Sequence, residues 1–157
     1  MQLYIQAETT QDRALMIRSL HYLDLAVEAY RHAFGKDDPE VAYALTSYAD
    51  VERKLNPENP SFSADEAYSE AYRINRARYG PRAIITLAGL VRIGELRSLP
   101  SRSRGDPAKI EAARAMLLEA FNGATRGSGW NAEDVRNDAD AALRKLDGPD
   151  ARQRELH

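Results

Sequence analysis

The sequence predicts an all-α chain folded as a short right-handed α-solenoid of antiparallel helix hairpins, about six helices with a polar C-terminal capping helix. Three observations predict it. Apolar residues recur at alternating spacings of three and four, and helix start and stop signals bound each such run. The tetrad Glu28-Ala29-Tyr30-Arg31 also returns as Glu70-Ala71-Tyr72-Arg73, 42 residues later, and Glu119-Ala120-Phe121 echoes it after a further 49. Two amphipathic helices per repeat cannot bury their apolar faces alone, so stacked hairpins are the expected solution.

From Thr10 to Phe34, the residues Met16, Leu20, Leu23, Val27, Tyr30 and Phe34 fall at helical spacing, which a strand cannot use. Residues 1–9 read as an N-terminal extension. Gly35 supplies a left-handed stop. Asp38-Pro39 supplies a start, because Asp accepts from orphan amides and Pro at the first helical position has no amide to leave unsatisfied. The second helix carries Val41, Ala44, Leu45, Tyr48, Val51 and Leu55 up to the breaker Asn56-Pro57-Glu58-Asn59-Pro60. Ser63 with Glu66 forms a capping box, with Phe62 stapled onto Ala67, and opens a third helix through Tyr68, Ala71, Ile74 and Tyr79.

Gly80-Pro81 repeats the stop and restart. The fourth helix, with Ala83, Ile84, Leu87, Leu90, Val91 and Leu96, is apolar on more than one side and is expected to be the most buried. Residues 99–109, LPSRSRGDPAK, form a long basic linker that ends in a second start signal, Asp106-Pro107. The fifth helix shows Ile110, Ala113, Leu117, Ala120 and Phe121 and stops at Gly123. The sixth starts at Asn131, with Trp130 clipped onto Val135, and continues through Ala139, Ala142, Leu143 and Leu146 as a polar cap. The expected organisation is one helical domain over residues 10–146 and a charged tail over 147–157.

Composition narrows the function. A chain of 157 residues buries roughly 69% of its unfolded surface, enough for a core. With 22 basic and 24 acidic side chains the net charge is -2, so no global field attracts nucleic acid or an anionic bilayer. The absence of cysteine excludes disulfides, thiolate nucleophiles and thiolate metal sites. The opening MQLYIQAETTQDR lacks a basic leader ahead of an apolar run, and no segment approaches the roughly 18 apolar residues of a membrane span, so the expected location is cytoplasmic. Arg outnumbers Lys 18 to 4, which points to a GC-rich bacterial genome.

The segment AVEAYRHAFGKDDPEVAYALTSYADV, Ala26 to Val51, resembles the 42-residue tetratricopeptide (TPR) variant of kinesin light chains. Phe34-Gly35, the turn Gly35-Lys36-Asp37-Asp38-Pro39 and Val41-Ala42 carry the match. Small and large residues alternate as in that family at Ala64, Tyr68, Ala71 and Tyr72, and again at Ala113, Leu117, Ala120 and Phe121. Gly80-Pro81 lacks the three intervening turn residues, so alignments on Gly and on Pro differ by three positions. The resemblance implies a scaffold-type, adaptor-like helical repeat that binds a protein or peptide in a concave groove. It implies inward positions at Tyr43, Thr46, Ser47, Asp50, Arg53 and Lys54 on one helix, and at Ile85, Ala88, Gly89, Arg92 and Glu95 on another. Small Ala88 and Gly89 leave room for a partner side chain, with Tyr43 as an aromatic anchor and Arg53 and Arg92 as carboxylate clamps. Periodicity alone places Tyr43, Ser47, Asp50 and Lys54 opposite the Leu45 and Tyr48 core stripe.

Catalytic constellations are weak by comparison. The three histidines, His21, His32 and His157, lie near no nucleophile elbow, and no phosphate-cradling glycine motif occurs. His21, Asp24, Glu28 and His32 share one helix face, but the two histidines stand about 16.5 Å apart along a helix axis and cannot share one ion. This stripe reads as solvated. The acid pairs Asp37-Asp38, Asp65-Glu66 and Glu133-Asp134 sit at expected helix N-termini and read as caps. The basic residues Arg102, Arg104, Lys109 and Arg114 lack aromatic interleaving and read as a solvated linker.

The expectation is therefore a non-enzymatic protein-protein interaction module with no cofactor and no metal. An alternative is an assembly or inhibitory subunit that masks a partner enzyme through its convex face or basic linker; a small helical enzyme ranks below both. Two and a half hairpins lie near the lower limit for an independent solenoid, so association with a partner or as a homo-oligomer is expected.

Overall fold

The computed structural model describes the backbone of residues 2–125 and 130–147, and the side chains of residues 12–61, 63–125 and 131–147. Among these the chain forms seven helices and no strand, so the all-α expectation holds, with one helix more than the pattern predicts. The chain divides into two compact units, Met1–Ile74 and Asn75–His157, and the division falls inside the third helix.

In the first unit, α1 (Gln2–Phe34) begins eight residues before the expected Thr10, because neither Gly nor Pro interrupts residues 2–10. It ends where expected. Gly35 takes φ 93°, and its amide donates to the Arg31 carbonyl at 3.0 Å. The Asp38 carboxylate then accepts from the Glu40 amide at 2.9 Å and caps α2 (Pro39–Leu55), which starts on the predicted proline. α2 packs against α1, and its Val41, Ala42, Ala44, Leu45 and Ala49 are buried. The Arg13 guanidinium of α1 donates to the Leu55 carbonyl at 3.1 Å, satisfying one of the acceptors left open at the end of α2. Phe34, expected in the core stripe, is 59% exposed at the last position of its helix.

The loop between α2 and α3 (Phe62–Tyr79) is fastened by a side chain the pattern did not single out. Glu52 is buried, and its carboxylate accepts from the Ser61 amide at 3.1 Å and the Asn56 side-chain amide at 3.5 Å. The Ser61 hydroxyl accepts from the Ala64 amide at 3.3 Å. The N-terminal fastening of α3 is therefore Ser61 with Glu52, not Ser63 with Glu66, since Ser63 already lies inside the helix. The Phe62 side chain lies outside the described residues. α3 buries Ala64, Ala67, Tyr68, Ala71 and Ile74.

The second helix junction copies the first. Gly80 takes φ 88° and donates to the Arg76 carbonyl at 3.0 Å, and α4 (Ile84–Ser98) begins three residues after Pro81. Asp38 donates its amide to Gly35 at 3.3 Å, and Ala83 donates to Gly80 at 3.4 Å in the same way. Phe34 to Tyr79 and Pro39 to Ile84 are each 45 residues, so the junction recurs at 45 while the tetrad recurs at 42. Pro81 consequently sits in the turn and does not open a helix, because the turn needs three residues after its glycine in both places. The tetrads are not equivalent in packing: Ala29 is exposed and Ala71 is buried.

In the second unit α4 packs against α6 (Pro107–Thr125) and α7 (Trp130–Asp147), and α6 packs against α7. The extra helix, α5 (Pro100–Ser103), is a single turn within the linker, followed by Arg104 at φ 51°. The Asp106 carboxylate accepts from the Ala108 amide at 2.9 Å and starts α6 as predicted. Gly123 does not stop that helix. It admits Leu87 of α4, whose side chain would lie 2.8 Å from a Cβ at that position, while Gly94 of α4 admits Leu117 of α6 at the same 2.8 Å. Each helix thus gives the other one glycine and takes one leucine. α7 buries Ala132, Val135, Ala139 and Ala142. The expected Trp130 clip and the tail over 148–157 lie outside the described residues.

Candidate functional site

Six of the sequence-predicted site residues lie on α2 in the first unit and the others on α4 in the second. On α2, Tyr43 is 71% exposed and Lys54 is exposed. The hydroxyls of Thr46 and Ser47 donate back to the Ala42 and Tyr43 carbonyls at 2.8 and 3.0 Å, so both satisfy their own helix. Asp50 is half-buried and accepts from the Tyr68 hydroxyl at 2.5 Å, and Arg53 also bonds that hydroxyl. Asp50 and Arg53, both half-buried, therefore meet at the Tyr68 hydroxyl. Burial first, and then the Asp50 carboxylate, push the Tyr68 phenol well above the ordinary tyrosine value; Arg53 opposes them only in part. On α4, Ile85 is 52% exposed, while Ala88, Gly89, Arg92 and Glu95 are half-buried.

A feature that sequence reasoning missed is a cavity of about 230 Å³ in the first unit. Val27, Leu45 and Ala67 form its apolar lining, and Tyr48 and Ser63 stand beside Asp24, Glu66, Glu70 and Arg31. The Arg31 guanidinium donates to Glu28 and to Glu70, each at 2.8 Å, and so ties α1 to α3. Burial works against the Arg31 charge, but the two carboxylates outweigh it and hold the guanidinium protonated beyond its usual range. The Tyr48 phenol is pushed up by burial and by the Glu52 and Asp24 carboxylates, with a Ser63 hydrogen bond acting the other way. The available sequence signal was slight: Asp24 with Glu28, and Glu66 with Glu70, are pairs four residues apart, each on one helix face.

The remaining candidates separate into structural roles and exposed charge. Asp38 caps as expected, whereas Asp37 pairs with Arg73 at 2.6 Å and Glu66 lines the cavity. His21, Asp24, Glu28 and His32 are exposed, and among the described residues no three metal-binding side chains converge. Arg104 and Lys109 are exposed and Arg102 is half-buried; Arg114 pairs with Glu111 at 3.4 Å and with Asp147. Among the described residues no helix is long and apolar enough to cross a membrane. No family model, curated protein or solved structure matches the chain.

Proposed function

We propose that the chain is a non-enzymatic, cytoplasmic helical module that binds a protein or peptide partner. The observation that carries this reading is Tyr43, an aromatic side chain 71% exposed on a helix whose opposite face is core, with exposed Lys54 further along. An exposed ring suits an interface anchor, and Lys54, about 16.5 Å further along the same helix, offers a separate charged contact. The finer form of the reading, a TPR-like right-handed solenoid of antiparallel hairpins, draws support from the return of the Gly35–Pro39 junction at Gly80–Ile84.

A second reading, an assembly or inhibitory subunit that works through another face, is favoured by α1. Leu15, Tyr22 and Leu25 are 51%, 61% and 52% exposed, at spacings that place them on one side of the helix.

Affinity capture from the source cell separates the two. The pair Tyr43→Ala with Lys54→Glu is expected to lower capture of co-purifying proteins about tenfold at an unchanged melting temperature, whereas Leu15→Ser with Tyr22→Ser leaves it intact. The reverse pattern moves the working surface to α1. Equal capture by all the variants rejects both surfaces.

A further inference from the structure

We propose that the cavity of the first unit is a seat for one arginine side chain of the partner, with the guanidinium held between Asp24 of α1 and Glu66 of α3. The inference rests on the reading of the chain as a partner-binding module and adds the chemistry of what is bound. Its starting point is a guanidinium already in place. Arg31 is gripped by one carboxylate from α1, Glu28, and one from α3, Glu70. Four residues earlier on both helices stands a second carboxylate pair, Asp24 and Glu66. Both of these side chains are exposed, both line the cavity, and neither has an ion-pair partner among the described residues. The chain therefore repeats the carboxylate pair of the Arg31 clamp one turn along, at the cavity.

The rest of the cavity suits the same occupant. Its volume, about 230 Å³, lies below the roughly 300–1,000 Å³ of cofactor and drug-sized sites and matches a single long side chain. Val27, Leu45 and Ala67 offer apolar surface to the methylene stem, while the charged head stays at the wet rim, as long basic side chains prefer. Three carboxylates and one guanidinium line the cavity, so it keeps a formal charge of -2 after Arg31 is counted. A metal ion fits poorly, since no three ligating side chains converge among the described residues. A planar fork that spans two separated carboxylates fits well.

The test uses the full chain and the probe acetyl-Ala-Arg-Ala-amide, followed by two-dimensional amide NMR. The expected result is saturable shifts at Asp24, Val27, Tyr48 and Ala67, with a Kd on the order of 1 mM. The citrulline probe, equal in shape but uncharged, and the lysine probe, charged but not forked, are each expected to bind about tenfold more weakly. Asp24→Asn with Glu66→Gln is expected to abolish the shifts, while Glu133→Gln in the second unit leaves them intact. Because Asp24 and Glu66 are exposed and form no ion pair among the described residues, the double variant should retain its melting temperature. The proposal is overturned by absence of saturation at about 20 mM probe, by equal binding of citrulline, or by full binding to the double variant. The titration needs no natural partner. A silent cavity alongside lost capture by the Tyr43 and Lys54 variants removes the arginine seat alone, and a responsive cavity alongside unchanged capture removes the α2 surface alone.

Discussion

Tyr68 keeps a proton in the folded chain that the unfolded chain releases in alkali, because burial first and Asp50 second disfavour its phenolate. Below about pH 10 both states hold that proton and the group makes stability independent of pH. As pH rises past the ordinary tyrosine value the unfolded state loses the proton and the folded state retains it, so stability falls with rising pH. Urea titrations at several pH values are expected to show this decline in the wild type and a shallower one in Tyr68→Phe. At neutral pH the same variant should be less stable by about 1–2 kcal/mol, through loss of a hydrogen bond to a carboxylate. Thr86 offers the opposite case. It is fully buried, its hydroxyl oxygen has no hydrogen-bond partner among the described residues, and it stands as far after Gly80 as the equally buried Val41 stands after Gly35. Thr86→Val should stabilise the chain by about 1 kcal/mol, read as a higher urea midpoint at an unchanged slope. An unchanged or lowered midpoint would mean that the hydroxyl finds a partner in solution.

Helix starts were legible in the sequence wherever the fastening is local. Asp38-Pro39 and Asp106-Pro107 needed only their own neighbours to act as caps, and both start helices on the predicted residue. The start of α3 is not legible in its own neighbours because its fastening partner, Glu52, comes from another helix nine residues before Ser61. Gly123 reads as a stop in the sequence because only packing shows that Leu87 needs the space. The same distinction governs the site. Periodicity found the exposure of Tyr43 and Lys54, whereas it could not show Asp50 under the Tyr68 hydroxyl or bring Asp24 and Glu66 to one cavity. Ala71 and Ala77 test the face assigned to α3, since the first is 3% exposed and the second is open to solvent. Ala71→Leu should overpack and cost about 1–3 kcal/mol, and Ala77→Leu should be near neutral, by chemical denaturation of each. Equal stabilities would invert the face.

At the scale of the whole chain, the seven helices among the described residues predict a far-ultraviolet circular dichroism spectrum dominated by helix and unchanged by a strong chelator. A strand signature, or loss of signal on metal removal, would contradict that. The exchange of glycines and leucines between α4 and α6 reaches further, into how the second unit can change over evolutionary time. Gly94→Ala alone drives a methyl group into Leu117, and Leu117→Ala alone leaves a void, so each single step is expected to be selected against. Made together, the two changes compensate in part, since one added methyl refills some of the space the leucine leaves, and the same holds for Gly123 with Leu87. Descendants of this chain should therefore carry correlated substitutions at 94 with 117 and at 87 with 123, which a pairwise mutational scan can read directly as positive epistasis.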